Sequence, residues 1–395
     1  MHRSLHRLEQ GGLPLVVAFL ISSSASAADP PATLPSSPKN QIEVHASLAD
    51  GLGLRREDKL FSVDLGILTQ MRYTMTLHET KVTDDGFNVL MVRPVLRVKA
   101  LNDTVRLFVQ PELGTPTPKL LDFELTWQPI PQMGLRVGQF LTPFTRAFLT
   151  PVPLLQFTDF NRVNAKFRAD RDTGAMLFGA TKNGKLDYWL GAFNGNGIDK
   201  GGNDDTTMMG ITRVAVNPVR AMPYDETPSL KGAVPFGIAI ALDGIADRAH
   251  PTKMVTDPAT GTQTTVNLTP ETRLTGGADI SIAYKSFTFL TEGFMKVIEP
   301  DGGARTTSIG AYAQAGIFAI PKRLEFAVRG GYMDPNRSKD KDTESNFEGL
   351  ITGYFVGNHL KLGGRYTMIR NEAKTADGLA PGVNHRFIIQ TQLWL

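Results

Sequence analysis

From Phe61 onward the chain alternates. In FSVDLGILTQMRY one face carries Phe61, Val63, Leu65, Ile67, Met71 and Tyr73, and the other carries Ser62, Asp64, Gly66, Gln70 and Arg72, with Leu68 an apolar exception on the polar side. In VRPVLRVKA, Val92, Pro94, Leu96, Val98 and Ala100 oppose Arg93, Arg97 and Lys99. In LDFELTWQ, Leu121, Phe123, Leu125 and Trp127 oppose Asp122, Glu124, Thr126 and Gln128. Side chains of a strand point alternately to its two faces, so a sustained period of two marks half-buried strands and not helices. The rule predicts strands near 61–73, 88–100, 104–114, 120–129, 133–142, 173–182, 185–194, 208–217, 234–244, 273–285, 286–298, 305–319, 322–334, 346–357, 359–370 and 384–395, about sixteen in all, an even number within the range of bacterial barrels.

The connections sort by strand parity. Those after even-numbered strands are mostly tight, as in LND (101–103), IPQ (130–132), the Asn183-Gly184 pair expected as a type I′ turn, YKSF, IPK and GNH. Those after odd-numbered strands are longer and polar: 74–87, 143–172, 195–207, 245–272, 335–345 and 371–383. Short turns on one rim and long loops on the other are what an outer-membrane barrel shows, whereas a soluble sandwich has no reason to sort loops this way. The fold class expected is therefore all-β: a transmembrane antiparallel β-barrel of about sixteen strands. Residues 218–233 break the pattern, being long where a short turn is due, and leave the strand count open by a pair at that point.

The leader agrees with export. Arg3 and Arg7 precede the apolar GLPLVVAFLIS, and Ala25-Ser26-Ala27 supplies small residues at cleavage spacing. Cleavage after Ala27 divides the chain into a signal peptide (1–27), a flexible Pro- and Ser-rich lead-in (28–57) and the barrel (58–395). Localisation in a Gram-negative outer membrane follows, with its lipid as a partner. Beyond the leader there is no apolar run of about twenty residues, so no transmembrane helix is expected. The chain has no cysteine, which removes disulfide frameworks and thiolate metal sites, and 42 basic against 39 acidic residues argue against a nucleic-acid partner.

The segments LRVGQFLTPF (135–144), RDTGAMLFGA (171–180) and LDYWLGAFNGNG (186–197), preceded by KLLDFELTWQP, resemble the phosphate-selective porin O/P family, in its order and spacing. Weaker similarity covers DKLFSVDLGILTQMRY and VRPVLRVKA, so the resemblance spans roughly residues 58–217. It implies a homotrimeric channel for passive diffusion of small hydrophilic solutes, in some members preferring phosphate or polyphosphate. In sixteen-stranded trimeric porins the third long loop folds into the lumen, and 143–172, between the fifth and sixth strands, occupies that position. Two departures stand out. The chain ends QTQLWL, with Leu395 where such barrels end in an aromatic residue, and the family's phosphate-binding cations do not align individually with this chain.

An anion pore needs cations on its water side. Strand parity puts Arg72, Arg93, Arg97, Lys99, Arg106 and Arg136 on the lumen wall, and Arg146, Arg162, Lys166, Arg168 and Arg171 fall in or beside the expected constriction. Asp159, Asp170 and Asp172 share that segment, and Glu112, Asp122 and Glu124 face the same lumen, so a mixed-charge, weakly selective wall is the competing expectation. GNGIDKGGNDD (195–205) lacks the order of a calcium loop. No G-x-S-x-G or H-E-x-x-H occurs, and the sequence nominates no catalytic, metal or cofactor-binding residues. A porin with anions such as phosphate as solutes is the leading expectation. A plugged structural or adhesive barrel, or a barrel hydrolase assembled from separate strands, are the alternatives.

Overall fold

The computed structural model describes residues 41–48, 50–56, 58, 60–200, 202–203, 205–256 and 262–395; the expected signal peptide lies outside them. The strands are β1 (Ile42–Ser47), β2 (Gly51–Arg56), β3 (Phe61–His78), β4 (Lys81–Ala100), β5 (Val105–Glu112), β6 (Lys119–Ile130), β7 (Met133–Leu141), β8 (Arg171–Ala180), β9 (Leu186–Phe193) and β10 (Met209–Val216). They continue as β11 (Val234–Ala249), β12 (Thr252–Thr256), β13 (Gln263–Asn267), β14 (Glu271–Lys285), β15 (Phe287–Pro300), β16 (Thr306–Ile320), β17 (Leu324–Asp334), β18 (Glu344–Val356), β19 (Leu360–Asn371) and β20 (Gly382–Trp394). From β3 to β11 and from β14 to β20 each strand pairs antiparallel with the next, and β11 pairs with β14. The ring closes where β20 meets β3, from Asn384↔His78 to Trp394↔Leu68. A closed sixteen-stranded antiparallel barrel results, and each of the sixteen expected strands has its counterpart.

The two faces separate as the alternation requires. On β18, Phe347, Ile351 and Phe355 are exposed while Glu344, Asn346, Glu348 and Thr352 are buried; on β6, Phe123, Leu125 and Trp127 are exposed while Asp122 and Thr126 are buried. Aromatic residues stand outward near both rims. Trp127, Phe236, Tyr284 and Phe355 lie toward the short turns, and Phe87, Tyr332 and Phe347 toward the long connections. A closed ring satisfies its own backbone hydrogen bonds, so it can present this apolar exterior to lipid.

Four local expectations change. Residues 74–87 are not a loop: β3 and β4 run on to a turn at Glu79-Thr80, with Glu79 at φ 52° and the Tyr73 and Phe87 rings 5.0 Å apart. Every residue of β4 from Lys81 to Val89 is exposed, so polar side chains there no longer mark a break in the strand. The 245–272 connection likewise holds the end of β11 and the β12–β13 hairpin. Asn183-Gly184 is not a type I′ turn. Only Gly184 has positive φ (64°), and its N–H donates to the Thr181 carbonyl around a turn centred on Lys182-Asn183.

Residues 42–56, expected within a flexible lead-in, form the β1–β2 hairpin, and β2 pairs with β3 at Ser62–Leu65. The reason is an unfilled edge. β20 ends with Leu395 exchanging backbone hydrogen bonds with Ile67, so the first residues of β3 lack a partner from the C-terminus, and β2 supplies one.

Candidate functional site

The water-side cations on β3–β7 are brought together by register. Lys99 stands directly opposite Arg106, Arg106 opposite Thr126, and Thr126 opposite Arg136, so three cations lie in one row across β4–β7, with Arg97 beside them. Like charges placed opposite one another destabilise a sheet. Arg136 is offset by Glu124 (3.0 Å) and its guanidinium lies over the Phe140 and Phe178 rings. Arg106 donates to the Gln128 side chain instead of a carboxylate, and neither Arg97 nor Lys99 has an ion pair among the described residues. Higher on the wall, Arg93 is held by Glu112 (2.6 Å) and Arg72 by Asp159 (2.6 Å).

Residues 142–170 connect β7 and β8 through α1 (Arg146–Leu149), a 3-10 turn (Val152–Leu154) and α2 (Arg162–Phe167). Thr145 caps α1 by accepting from the Phe148 N–H, and Asn161 caps α2 by accepting from the Val163 N–H. Pro143, Pro151 and Pro153 set the path between these short elements. Phe144, Phe148, Phe157 and Phe167 are all buried, and the Phe167 ring stacks 5.5 Å from that of Phe294 on β15.

The polar contacts of the segment go to buried members of the wall rows. Ala147 N and Asn164 Nδ2 donate to Glu292, Gln156 Nε2 donates to Glu325, and Lys361 Nζ donates to the carbonyls of Pro153 (3.0 Å) and Leu155 (2.9 Å). Asp159 bridges Arg72 on β3 and Arg365 on β19, each at 2.6 Å. Burial alone would push the Asp159 carboxyl up; the Arg365 and Arg72 guanidinium groups outweigh it and hold the acid below the usual carboxylate range.

The exceptional connection between β10 and β11 supports this segment. Arg146, buried at 4 % exposure, donates to the Pro223 carbonyl and lies 4.6 Å over the Tyr224 ring. The Glu226 N–H donates to the Leu154 carbonyl, and the Glu226 carboxylate accepts from the Gln156 N–H (2.9 Å) and the Gln314 side chain (2.9 Å). Nearby, Arg213 is fully buried between Asp243 and Asp279, both at 2.6 Å. Residues 218–233 are thus long because they pack against 142–170, and no strand pair is missing or extra.

The five cations nominated in and beside the segment have different surroundings. Arg146 is committed to Pro223 and Tyr224. Arg162 pairs with Glu344 and, at 2.9 Å, with Asp377. Arg168 meets Asp170 at 3.4 Å and lies over the Phe148 and Phe160 rings, and Arg171 pairs with Asp122 at 2.9 Å. Lys166 is exposed and has no ion pair among the described residues. No local pattern marks Glu226, Asp159 and Arg365 as parts of one clamp, because their partners are remote along the chain.

Among solved structures, the chain is similar to OmpT of Vibrio cholerae in its trimer form, with a TM-score of 0.59 at 10% identity over 85% of this chain and 99% of that one. It is similar also to an anion-selective porin from Comamonas acidovorans (TM-score 0.59, 13% identity, 85% and 100% covered) and to Salmonella typhi OmpF in complex with daunomycin (0.54, 10%, 85% and 98%). The fold is that of the outer-membrane porins. With its apolar exterior, the porin barrel places the chain in the outer membrane. No protein-family model and no curated protein matches the sequence.

Proposed function

We propose that the chain is a porin for passive diffusion of small hydrophilic solutes, with a preference for anions. The observation that carries this reading is the row Lys99, Arg106 and Arg136, with Arg97 beside it, on the water side of a closed barrel; among the described residues only Arg136 of these four has a carboxylate at ion-pair distance. Unneutralised cations against a low-dielectric wall raise the local concentration of anions and lower that of cations. The resident segment 143–172 narrows the bore from one side, braced by residues 218–233, and Lys166 is its exposed cation, with Arg162 and Arg168 partly exposed. The anion-selective porin among the solved relatives supports the anion reading, and the motif set at 135–197 supports phosphate among the anions. The trimer form of the Vibrio cholerae protein supports a homotrimer. The plugged-barrel alternative draws on one specific feature, the meeting of 142–170 with 218–233 through Glu226.

Single-channel recording in a planar bilayer, first in potassium chloride and then in potassium phosphate, tests the reading. Stepwise current in both salts is expected. Absence of current in either salt would support the plugged barrel instead.

A further inference from the structure

One pocket away from the wall row combines apolar and charged walls. It lies on the long-connection side, between α2, the 372–381 connection and the inner rows of β17–β20, and has a volume of about 380 Å³, within the range of small-molecule sites. Part of its lining is apolar: Phe160, Met333, Ile369 and Ala376. An inorganic ion loses hydration against such a surface and gains no contact in return, whereas a ligand with an apolar body is favoured by it.

The charged part of the lining is uneven in a second way. Its four carboxylates are all engaged: Asp159 by Arg72 and Arg365, Glu344 by Arg162, Glu348 by Arg329 (2.8 Å), and Asp377 by Arg162 and Arg386. The donors are not. Lys166 is exposed without an ion pair among the described residues, and Arg386 reaches Asp377 through one nitrogen at 3.3 Å while its Nε has no hydrogen-bond partner. Acceptors are used up and cationic donors are left over, so the unmet requirement of the pocket is for negative charge.

We propose that this pocket binds a small organic monoanion, with its acid group on Lys166 beside Arg386 and its apolar body against Phe160, Met333 and Ala376. It acts as a capture site on the outer side of the bore, a role that rests on the channel reading above. A single ring or short chain bearing one carboxylate or sulfonate has the required chemistry; inorganic phosphate lacks the apolar half.

Ligand-observed NMR on the detergent-solubilised full chain, with benzoate as probe and formate and inorganic phosphate as comparisons, tests the site without depending on conduction. Benzoate is expected to bind, and more tightly than formate. Lys166→Gln, which removes a charge-assisted contact, should weaken benzoate about tenfold or more. Ala376→Phe, which fills the apolar side and removes no charge, should weaken benzoate but leave formate and phosphate unchanged. Folding of both variants is checked by the difference in gel mobility before and after boiling. Benzoate binding no better than formate, or binding that both folded variants leave intact, would overturn the proposal. Benzoate binding that follows the expected pattern in a protein that passes no current would keep the pocket and refute the channel, so the two readings fail separately.

Discussion

Leu96 and Arg97 are neighbours in sequence and face different solvents. Leu96 lies opposite Leu65 and Val109 in the outward row, and Arg97 lies opposite Asp64 and Phe108 in the inward row. An arginine forced toward lipid near mid-membrane costs ~2–4 kcal/mol, while a lumen substitution leaves the exterior intact. Leu96→Arg should therefore lower the folded fraction, read as the heat-sensitive gel band, far more than Arg97→Leu. The reverse ranking would mean a register one residue off. Facing of this kind was legible because the period of two is local. Pairing was not: Arg162 finds Glu344 and Asp377 some 182 and 215 positions along the chain, and Arg146 finds the Pro223 carbonyl at a separation of 77. Cations that looked equivalent in the sequence are neutralised to very different degrees by partners that only closure of the barrel brings near.

The strands themselves were legible, since apolar and polar rows stay separate wherever one face meets lipid. Legibility ended where that asymmetry ends. The upper part of β4 is exposed on both faces and reads, with the polar end of β3, as loop, and β1–β2 read as lead-in because an exposed hairpin offers little to bury. Residues 218–233 read as an anomaly, and their length is explained only by Glu226, Thr227 and Ser229 meeting Gln156, Asn358 and the Lys285 carbonyl. At this scale the segment 142–170 makes a prediction of its own. Changing Arg162, Lys166 and Arg168 together to Gln removes the free charge of Lys166, releases Glu344 from Arg162 and leaves Asp377 with Arg386 alone. The zero-current potential in a salt gradient should move toward cation selectivity. Changing Arg337, Lys339 and Lys341 together to Gln, in the 335–343 connection, should move it much less, because exposed charges are screened by salt. Equal shifts would show that 142–170 does not border the narrow part of the path.

The barrel as a whole sets an apolar exterior against an interior divided between two tasks. On the β8–β19 side, segments from both rims are locked to buried carboxylates and to Arg213, Arg329 and Lys361. On the β3–β7 side Arg72, Arg93 and Arg136 have acid partners, whereas Arg97, Lys99 and Arg106 have no ion pair among the described residues, an arrangement that adds repulsion to the sheet and fits the anion preference proposed above. Selectivity is therefore expected to reside on that wall. The most direct measurement is the zero-current potential of the reconstituted full chain in a potassium chloride gradient, for the native sequence and for Arg97, Lys99 and Arg106 changed together to Gln. The native channel should show the sign of anion preference, and the triple variant should lose it while still conducting and still shifting in gel mobility on boiling. A native potential of the opposite sign, or a triple variant indistinguishable from the native channel, would contradict the account.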